Sequence, residues 1–338
     1  MRGCLIFCSI LFNCSVQASD ITGNVPELKK HEYWSIQLEN DILADSGDHY
    51  YTHGTQVSRT VSGESPQWLQ DMAGLFPVFE SDGEINGVNY TIGQKIFTAD
   101  NTQATQPLIN DRPYAGYLYF SASLLSSVSR ESNIDSGNVL EFTTGLVGPS
   151  ALAEEVQSVI HDLFNSDRVN GWDNQLSDEF ALGVSYTRFW QKIRPLSGSL
   201  KYSLAPHVNG TLGNVYTYAA SGVMLRVGTQ LENDFAPPNI RPGFPGLSLF
   251  RPSKQDNWYV FAGMEGRWVI RNIFLDGNTF RDSYSVDKRS LVGDFQFGFV
   301  FQRGNVRYSL SNVIRTKEFD QQNGNMSFGA INISFLYK

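Results

Sequence analysis

Beyond residue 18 the chain has no cysteine at all. The three cysteines of the sequence are Cys4, Cys8 and Cys14. They lie in a segment with a basic Arg2, an apolar run at 5–12 and a small-residue pattern at 16–18, which is typical of a cleaved secretory signal. We therefore predict a signal peptide over 1–18 and an exported chain over 19–338 that has neither disulfides nor thiolate chemistry.

Long apolar runs and basic stripes are also absent. No apolar stretch after the signal is long enough to cross a bilayer as a helix, which excludes transmembrane helices. Without Arg2, the 26 Lys and Arg residues fall to 25 against 34 Asp and Glu, a net charge of −9, which argues against nucleic acid as a partner. Repeats, low-complexity tracts and linkers are missing as well, so we expect a single domain over 19–338.

Aromatic residues in alternating patterns are abundant. The sequence contains 23 Phe, 15 Tyr and 6 Trp, and apolar residues alternate with polar ones in many short stretches, for example DFQFGFVF at 294–301. Alternation with a period of two predicts β-strands that have one apolar and one polar face. We place strands near 33–40, 53–61, 88–98, 115–125, 138–147, 178–190, 199–209, 214–228, 257–271, 288–302, 305–315 and 327–338.

Strands of this number and length suit a barrel that crosses a membrane. We predict an all-β fold, a transmembrane antiparallel β-barrel of about 12 strands in the bacterial outer membrane. The alternative is a soluble β-sandwich, but such sandwiches seldom carry so many strands with one apolar face. The chain ends with Phe335, Leu336, Tyr337 and Lys338, and this aromatic ending predicts recognition by the barrel-assembly machinery. We expect the barrel to be a monomer.

One stretch has helical rather than β periodicity. At 150–167, SALAEEVQSVIHDLFNSD, apolar residues recur at helical spacing after Pro149 and Ser150. Gln157 and His161 are four residues apart and therefore lie on one face. The pattern predicts one short amphipathic helix in an outer loop, and a weaker pattern predicts another helix at 65–76 on the periplasmic side.

An even strand count determines which loops share a rim. If the chain starts on the periplasmic side, the outer loops are 41–52, 99–114, 148–177, 210–213, 272–287 and 316–326. The polar segments that then meet at the outer rim are 38–41, 50–54, 111–116, 157–161 and 171–175. The long segment 229–256 falls on the periplasmic side. It includes a second LEND tetrapeptide at 231–234, which we do not assign to the site.

This convergence of polar segments contains residues suited to catalysis and metal binding. Asn40 and Asp41 offer the oxygen ligands that a hard cation such as calcium prefers, although such a pair also ends strands and begins turns. His161 is a candidate base, or else a histidine packed in a polar interface. Asp167 lies near the helix C-terminus, where an acid opposes the helix dipole, and orienting His161 would explain this placement. No GxSxG, HExxH or CxxC motif is present, so a serine hydrolase of the α/β class is unsupported.

Together these segments resemble the family of outer-membrane lipid A 3′-O-deacylases. The resemblance covers nearly the whole of 19–338. It rests on Glu39-Asn40-Asp41, Tyr51-Thr52-x-Gly54, Asp111-Arg112 with Tyr114-Ala115-Gly116, Gly148-Pro149 followed by Gln157-x-x-x-His161, and GWDNQ at 171–175.

The resemblance implies a twelve-stranded barrel whose site lies between the outer barrel wall and a loop helix, opening to the outer leaflet. It implies hydrolysis of the ester that joins the 3′-linked acyloxyacyl group to lipid A of lipopolysaccharide, with calcium as cofactor. By position, His161 is expected to activate water as general base, and Asn40 and Asp41 to hold calcium. Further positions that match the family's site are Thr52, Gln157 and Asp167.

Two features depart from the family pattern. The segment 99–110 has no Lys or Arg, whereas the family carries a basic pair there that contacts lipid A phosphates. Lys95 and Arg112 flank this segment, and we predict both of them, together with Glu39, as substrate contacts. His53 also stands at a position where the family pattern has a different residue.

Two other functions stay open at this point. An outer-membrane phospholipase also uses a barrel and calcium, but it needs a nucleophilic Ser beside a His on the outer wall. A non-enzymatic barrel for permeation or adhesion is the second alternative, with the helix at 150–167 serving as a plug.

Overall fold

Twelve antiparallel strands form a closed barrel, since each strand pairs with its neighbours in sequence and the last pairs with the first. The strands are β1 (Glu32–Asn40), β2 (Tyr51–Ser62), β3 (Glu84–Phe97), β4 (Ala115–Ser129), β5 (Asp135–Val147), β6 (Glu179–Ser197), β7 (Leu200–Gly213), β8 (Tyr216–Gly228), β9 (Ser253–Asn272), β10 (Leu291–Gly304), β11 (Val306–Arg315) and β12 (Met326–Leu336). The helices are α1 (Gln67–Ala73), α2 (Ala153–Phe164) and α3 (Ile273–Asp276). The predicted twelve-stranded barrel is confirmed.

The structure, a computed structural model, describes residues 31–44, 50–63, 65–79, 84–106, 109–129, 135–164, 169–234 and 250–337. The predicted signal peptide at 1–18, the acidic Asp167 and most of the 229–256 segment lie outside the described residues. We call the end of the barrel that carries α2 the helix rim, and the other end the opposite rim.

The strands place apolar side chains outside and polar side chains inside. In β10, Phe295, Phe297 and Phe299 are 43%, 43% and 40% exposed, whereas Asp294 and Gln296, which alternate with them, are buried. This pattern is the reverse of that in a soluble barrel, and it is the one that a surrounding bilayer requires. None of the helices in the described residues is long and apolar enough to cross a membrane.

Ion pairs and aromatic rings fill the interior near the helix rim. Asp294 on β10 accepts hydrogen bonds from Arg267 Nη2 at 2.6 Å and from Arg315 Nε at 2.8 Å. Above them, the short helix α3 turns Phe274 inward, where its ring stacks on Phe97 with centroids 4.1 Å apart. The segment 272–287, which the sequence predicts as an outer loop, therefore begins with a helix that packs into the end of the barrel.

The chain after β8 folds back and fills the interior at the opposite rim. Leu231–Asn233 forms a 3-10 turn, and the next residue, Asp234, pairs in a short bridge with Phe250. The carboxylate of Asp234 accepts a hydrogen bond from Arg307 Nη1 at 3.0 Å and another from the hydroxyl of Tyr259. The second LEND tetrapeptide thus lies at the rim away from α2, as predicted, and its acid holds the barrel interior together.

Helix α1 packs on the outside of the barrel wall. Leu69 and Ala73 are buried against Ala122 on β4 and Leu140 on β5, whose side chains face outward. Trp68 on the other side of the helix is exposed. The helix predicted at 65–76 is therefore present, and it covers part of the lipid-facing surface.

Replacing Asp234 with alanine is expected to destabilise the barrel strongly. The change leaves the buried guanidinium groups of Arg226 and Arg307 without their carboxylate partner, and breaking a buried pair in this way costs about 3–5 kcal/mol. Urea unfolding in detergent micelles, followed by the heat-dependent gel mobility of the folded barrel, measures this loss. The matched control is Glu232→Ala in the same tetrapeptide, because its pair with Lys201 is exposed and contributes about 0–1 kcal/mol. Equal stability of both variants would contradict the structural role of Asp234.

Candidate active site

A β-bulge at the start of β2 turns two consecutive side chains outward. The pairing of β2 with β3 shifts register between Tyr51 and His53. Tyr51 faces the lumen, and a Cβ at Gly54 would lie 2.1 Å from the Tyr51 hydroxyl, so position 54 faces the lumen too. The two residues between them, Thr52 and His53, therefore both lie on the outer wall. The absence of a side chain at Gly54 also leaves room for the hydrogen bond from Tyr51 to Glu39.

Asn40, Asp41 and Thr52 are connected at the helix rim. The side-chain amide of Asn40 donates to the backbone carbonyl of Thr52 at 2.8 Å, and its oxygen accepts from the N–H of Ile42 at 2.9 Å. Asp41 is buried, and its carboxylate accepts from the same N–H at 2.9 Å. The hydroxyls of Thr52 and Thr98 lie 2.7 Å apart. These contacts hold the three predicted site residues together at the helix rim.

Helix α2 begins three residues later than its sequence pattern predicts. Pro149–Ala151 forms a separate 3-10 turn, and Leu152 adopts a left-handed conformation with φ of 57°, which prevents a continuous helix. The carboxylate of Asp178 holds this turn through the N–H and hydroxyl of Ser150, at 2.7 and 2.8 Å. Gln94 on β3 donates to the carbonyl of Ala151 at 2.6 Å. The entry to the helix is therefore tied to the barrel from two sides.

A glycine on the wall lets α2 approach the barrel closely. A Cβ at Gly116 on β4 would lie 2.6 Å from the Cβ of Ala153 and 3.0 Å from that of Ala151, distances that are too short for two carbon atoms. Ala153 is buried with Ile96 and Trp172 in the cluster between helix and wall. Helix α2 therefore packs against the barrel wall at the Tyr114-Ala115-Gly116 motif.

The buried face of α2 carries polar residues. Gln157 and His161 are 3% and 8% exposed and lie on the same face as Ala153, whereas Val159 is 67% exposed. The apolar side of the predicted amphipathic helix is therefore only partly the side that packs against the barrel. The packed side includes the polar Gln157 because this residue has a buried hydrogen-bond partner. The indole N–H of Trp172 donates to Gln157 Oε1 at 2.9 Å, which leaves the buried Nε2 of Gln157 without a partner in the described residues.

The oxygen donors at Asn40, Asp41 and Thr52 fit calcium in chemical type. Calcium is bound by carboxylate, amide and backbone oxygens and by waters, whereas structural zinc requires His or Cys. In the described residues no three His, Cys, Asp or Glu side chains gather to hold a metal ion. A calcium ion at this position would therefore depend on one carboxylate and on neutral oxygens.

The three predicted substrate contacts face the interior of the barrel. Lys95 lies over the rings of Tyr119 and Tyr216, at 5.6 and 5.8 Å from the centroids, and Glu39 accepts a hydrogen bond from Tyr51. Their predicted contact with substrate stays a prediction, and the barrel wall separates them from the face on which Gln157 and His161 lie.

Arg112 also points into the interior, where its guanidinium lies 4.7 Å from the centroid of Phe97 and 3.5 Å from a carboxylate oxygen of Glu318. Burial lowers the pKa of Arg112 and raises that of Asp111, because both charged groups lose water. The role of Arg112 as a substrate contact stays a prediction as well.

Substituting Gly116 with alanine is expected to displace α2 while leaving the barrel intact. The added methyl group collides with Ala151 and Ala153, whereas the matched change Gly210→Ala on β7 adds a methyl group in open space. Limited proteolysis of the folded protein measures the result, and Gly116→Ala should be cut within 148–178 at least several times faster than Gly210→Ala. Equal cutting with an unchanged barrel would contradict the close seating of the helix.

Comparisons with known proteins agree with this architecture. A sequence profile of the family described as outer membrane protein LpxR matches residues 5–337. LpxR from Salmonella typhimurium has a similar structure, with a TM-score of 0.71 and 20% identity over 90% of this chain and 100% of that one. The beta domain of the Bordetella autotransporter Brka has a TM-score of 0.43 and 10% identity, over 91% and 100% of the two chains. No curated protein matches the chain in sequence.

The Salmonella structure shows likeness of fold, whereas the profile shows ancestry. The Salmonella protein shares the barrel at low identity, and the autotransporter domain is too distant to support an argument. The profile spans nearly all of the chain, including every motif on which the resemblance to the lipid A 3′-O-deacylases rests. The chain therefore belongs to the LpxR family of integral outer-membrane proteins.

Proposed function

We propose that the chain hydrolyses the 3′-linked acyloxyacyl ester of lipid A at the outer face of its barrel wall. Membership in the LpxR family supports a lipid A-modifying enzyme of the outer membrane. The observation that carries the proposal further is the position of His161, which is buried on the face of α2 that packs against the outer wall. A base in this position is beside the bilayer, where lipid esters are found, rather than inside the lumen.

Water is the nucleophile in the proposed reaction, and His161 is its base. A neutral imidazole is suited to this task near pH 7. His161 takes a proton from water as the water oxygen attacks the ester carbonyl, and it gives the proton to the sugar oxygen as the bond between that oxygen and the acyl carbon breaks. The Nε2 of Gln157, one turn earlier on the same face, has no partner among the residues that the structure describes and is a donor for the water or the ester oxygen.

Calcium is the proposed cofactor. Asp41, the side-chain oxygen of Asn40 and the oxygens of Thr52 are the residues that would hold it. When bound, the ion supplies positive charge near the oxyanion that develops on the ester carbonyl. Asp167 is proposed to orient or charge His161 from the end of the helix.

Other functions are less well supported. Pore activity is disfavoured because Phe274 and its aromatic neighbours fill the barrel at the helix rim, and the segment around Asp234 fills the opposite rim. Phospholipase activity would be detected in the experiment below as a change in the phospholipids. Monomeric state and recognition by the barrel-assembly machinery stay predictions.

Replacing His161 with alanine is expected to abolish the removal of the acyloxyacyl group. Loss of a general base lowers turnover by about 10²–10⁴-fold. Mass spectrometry of lipid A from cells that express each variant, with calcium in the medium, measures the loss. The matched control is Ser158→Ala on the exposed face of the same helix, which should retain activity.

Three outcomes of this experiment contradict parts of the proposal. An unchanged lipid A mass in wild-type cells would reject deacylation. Changed phospholipids with intact lipid A would support a phospholipase. Full activity of the His161 variant would retain the reaction but reject the site.

Replacing Asp41 with asparagine is expected to weaken calcium dependence specifically. The change removes the carboxylate but keeps an oxygen, so the calcium concentration for half-maximal activity should rise by about tenfold or more. Titration of calcium after treatment with a chelator measures this shift in purified protein. A wild-type enzyme that retains full activity in excess chelator would reject the calcium proposal while leaving that for His161 intact.

A further inference from the structure

The outer wall beside the entry to α2 contains an apolar groove. Its floor is formed by outward side chains of β4 to β7, namely Phe120, Phe142, Leu182, Val184 and Leu212. Trp68 and Met72 of α1 lie at the end nearer the opposite rim. The groove faces the bilayer, because the chain is an integral outer-membrane protein and these strands carry its lipid-facing residues.

The loop between β9 and β10 places an aromatic and a cationic residue at the mouth of this groove. Phe280 and Arg281 line it and are exposed. The loop is held at this point by the carboxylate of Glu179 on β6, which accepts from the N–H of Thr279 at 2.7 Å and from Asn278 Nδ2 at 3.2 Å. Arg281 is therefore presented by an anchored segment.

The charges around the mouth leave Arg281 available for an external anion. Asp178 is bound by Ser150, and Glu179 by the β9–β10 loop. Within the described part of the chain, Arg281 takes part in no ion pair or hydrogen bond. An exposed guanidinium above an apolar groove is a suitable partner for a phosphate that carries a hydrocarbon chain.

The depth of the groove corresponds to one leaflet of a membrane. Its lining runs from Asp178, the residue before β6, to Val184 on β6, which is about 20 Å along the extended chain at ~3.3 Å per residue. A strand tilted by about 40° covers roughly 15 Å of membrane depth over this length, which is half of a hydrocarbon core of about 30 Å. An acyl chain whose head group lies at the helix rim therefore fits the groove.

We propose that Arg281 and this groove anchor the lipid A substrate by one phosphate and one acyl chain. The proposal rests on the proposed function and extends it to substrate binding. Lys95 and Arg112 face the interior of the barrel, whereas Arg281 is on the lipid side.

The anchored chain is different from the one that is cleaved. Residues Ala153 and His161 are eight positions apart on α2, or about 12 Å at ~1.5 Å per residue, and the groove mouth lies at the Ala153 end. A glycolipid with several acyl chains can bridge this distance. The groove therefore retains one chain while His161 acts on another.

Kinetics of the purified full chain in detergent test the phosphate contact. Arg281→Gln should raise KM about tenfold on bisphosphorylated lipid A, as expected for a lost charged hydrogen bond, with kcat unchanged. Arg281→Lys should restore most of the affinity. The control Arg289→Gln, which removes an exposed arginine paired with Asp320 at the same rim, should leave KM unchanged. An equal KM for Arg281→Gln and wild type on this substrate would overturn the phosphate contact.

Native mass spectrometry of bound lipid tests the groove without relying on hydrolysis. Leu212→Trp should fill the groove and reduce retained lipid A several-fold, whereas Leu310→Trp, at an exposed position on β11, should not. If Leu212→Trp reduced retained phosphatidylglycerol as much as retained lipid A, the assignment of the groove to the lipid A substrate would be overturned. If the wild type hydrolyses nothing but binds lipid A in this variant-sensitive way, the proposed reaction fails and the groove stands. If the wild type hydrolyses lipid A and neither Arg281→Gln nor Leu212→Trp has an effect, the groove proposal is rejected while the proposed reaction is retained.

Discussion

The absence of water in the bilayer core is the constraint on which the structure depends. Every backbone N–H and C=O at that depth needs a partner within the chain, and closure of β1 onto β12 removes the two free edges that an open sheet would have. Closure then assigns one side of each strand to lipid and the other to the interior. Buried groups such as Asp294 and Arg315 can be charged only because they meet each other inside.

The same constraint explains why the candidate site lies on the outside. A regular β2 would alternate its side chains across the wall, but the bulge turns Thr52 and His53 outward together. Helix α2 packs on the same outer surface, where Gly116 on β4 lets it approach closely. Gln157 and His161 lie on the face of this helix that packs against the wall.

Most of the fold follows from the sequence, and the site follows in part. Period-two alternation predicts the strands because each wall residue meets either lipid or the interior. The start of α2 is predicted three residues too early, since nothing in the sequence marks the left-handed Leu152. Helix α3 is too short to produce a helical pattern of apolar residues in the sequence. It is found only in the structure, where its Phe274 packs on Phe97. The inward direction of Lys95 and the role of Arg281 depend on strand register and loop anchoring, which motifs do not contain.

The position of α2 on the outside of the barrel has a consequence for how the protein meets lipids. Phe274 at one rim and Phe250 at the other are both fully buried inside the barrel, whereas α2 packs on the outer wall. Lipids that reach α2 arrive by lateral diffusion within the plane of the membrane. The encounter rate is then set by the number of lipids per unit of membrane area and by membrane fluidity, so dilution of the surrounding medium leaves it unchanged.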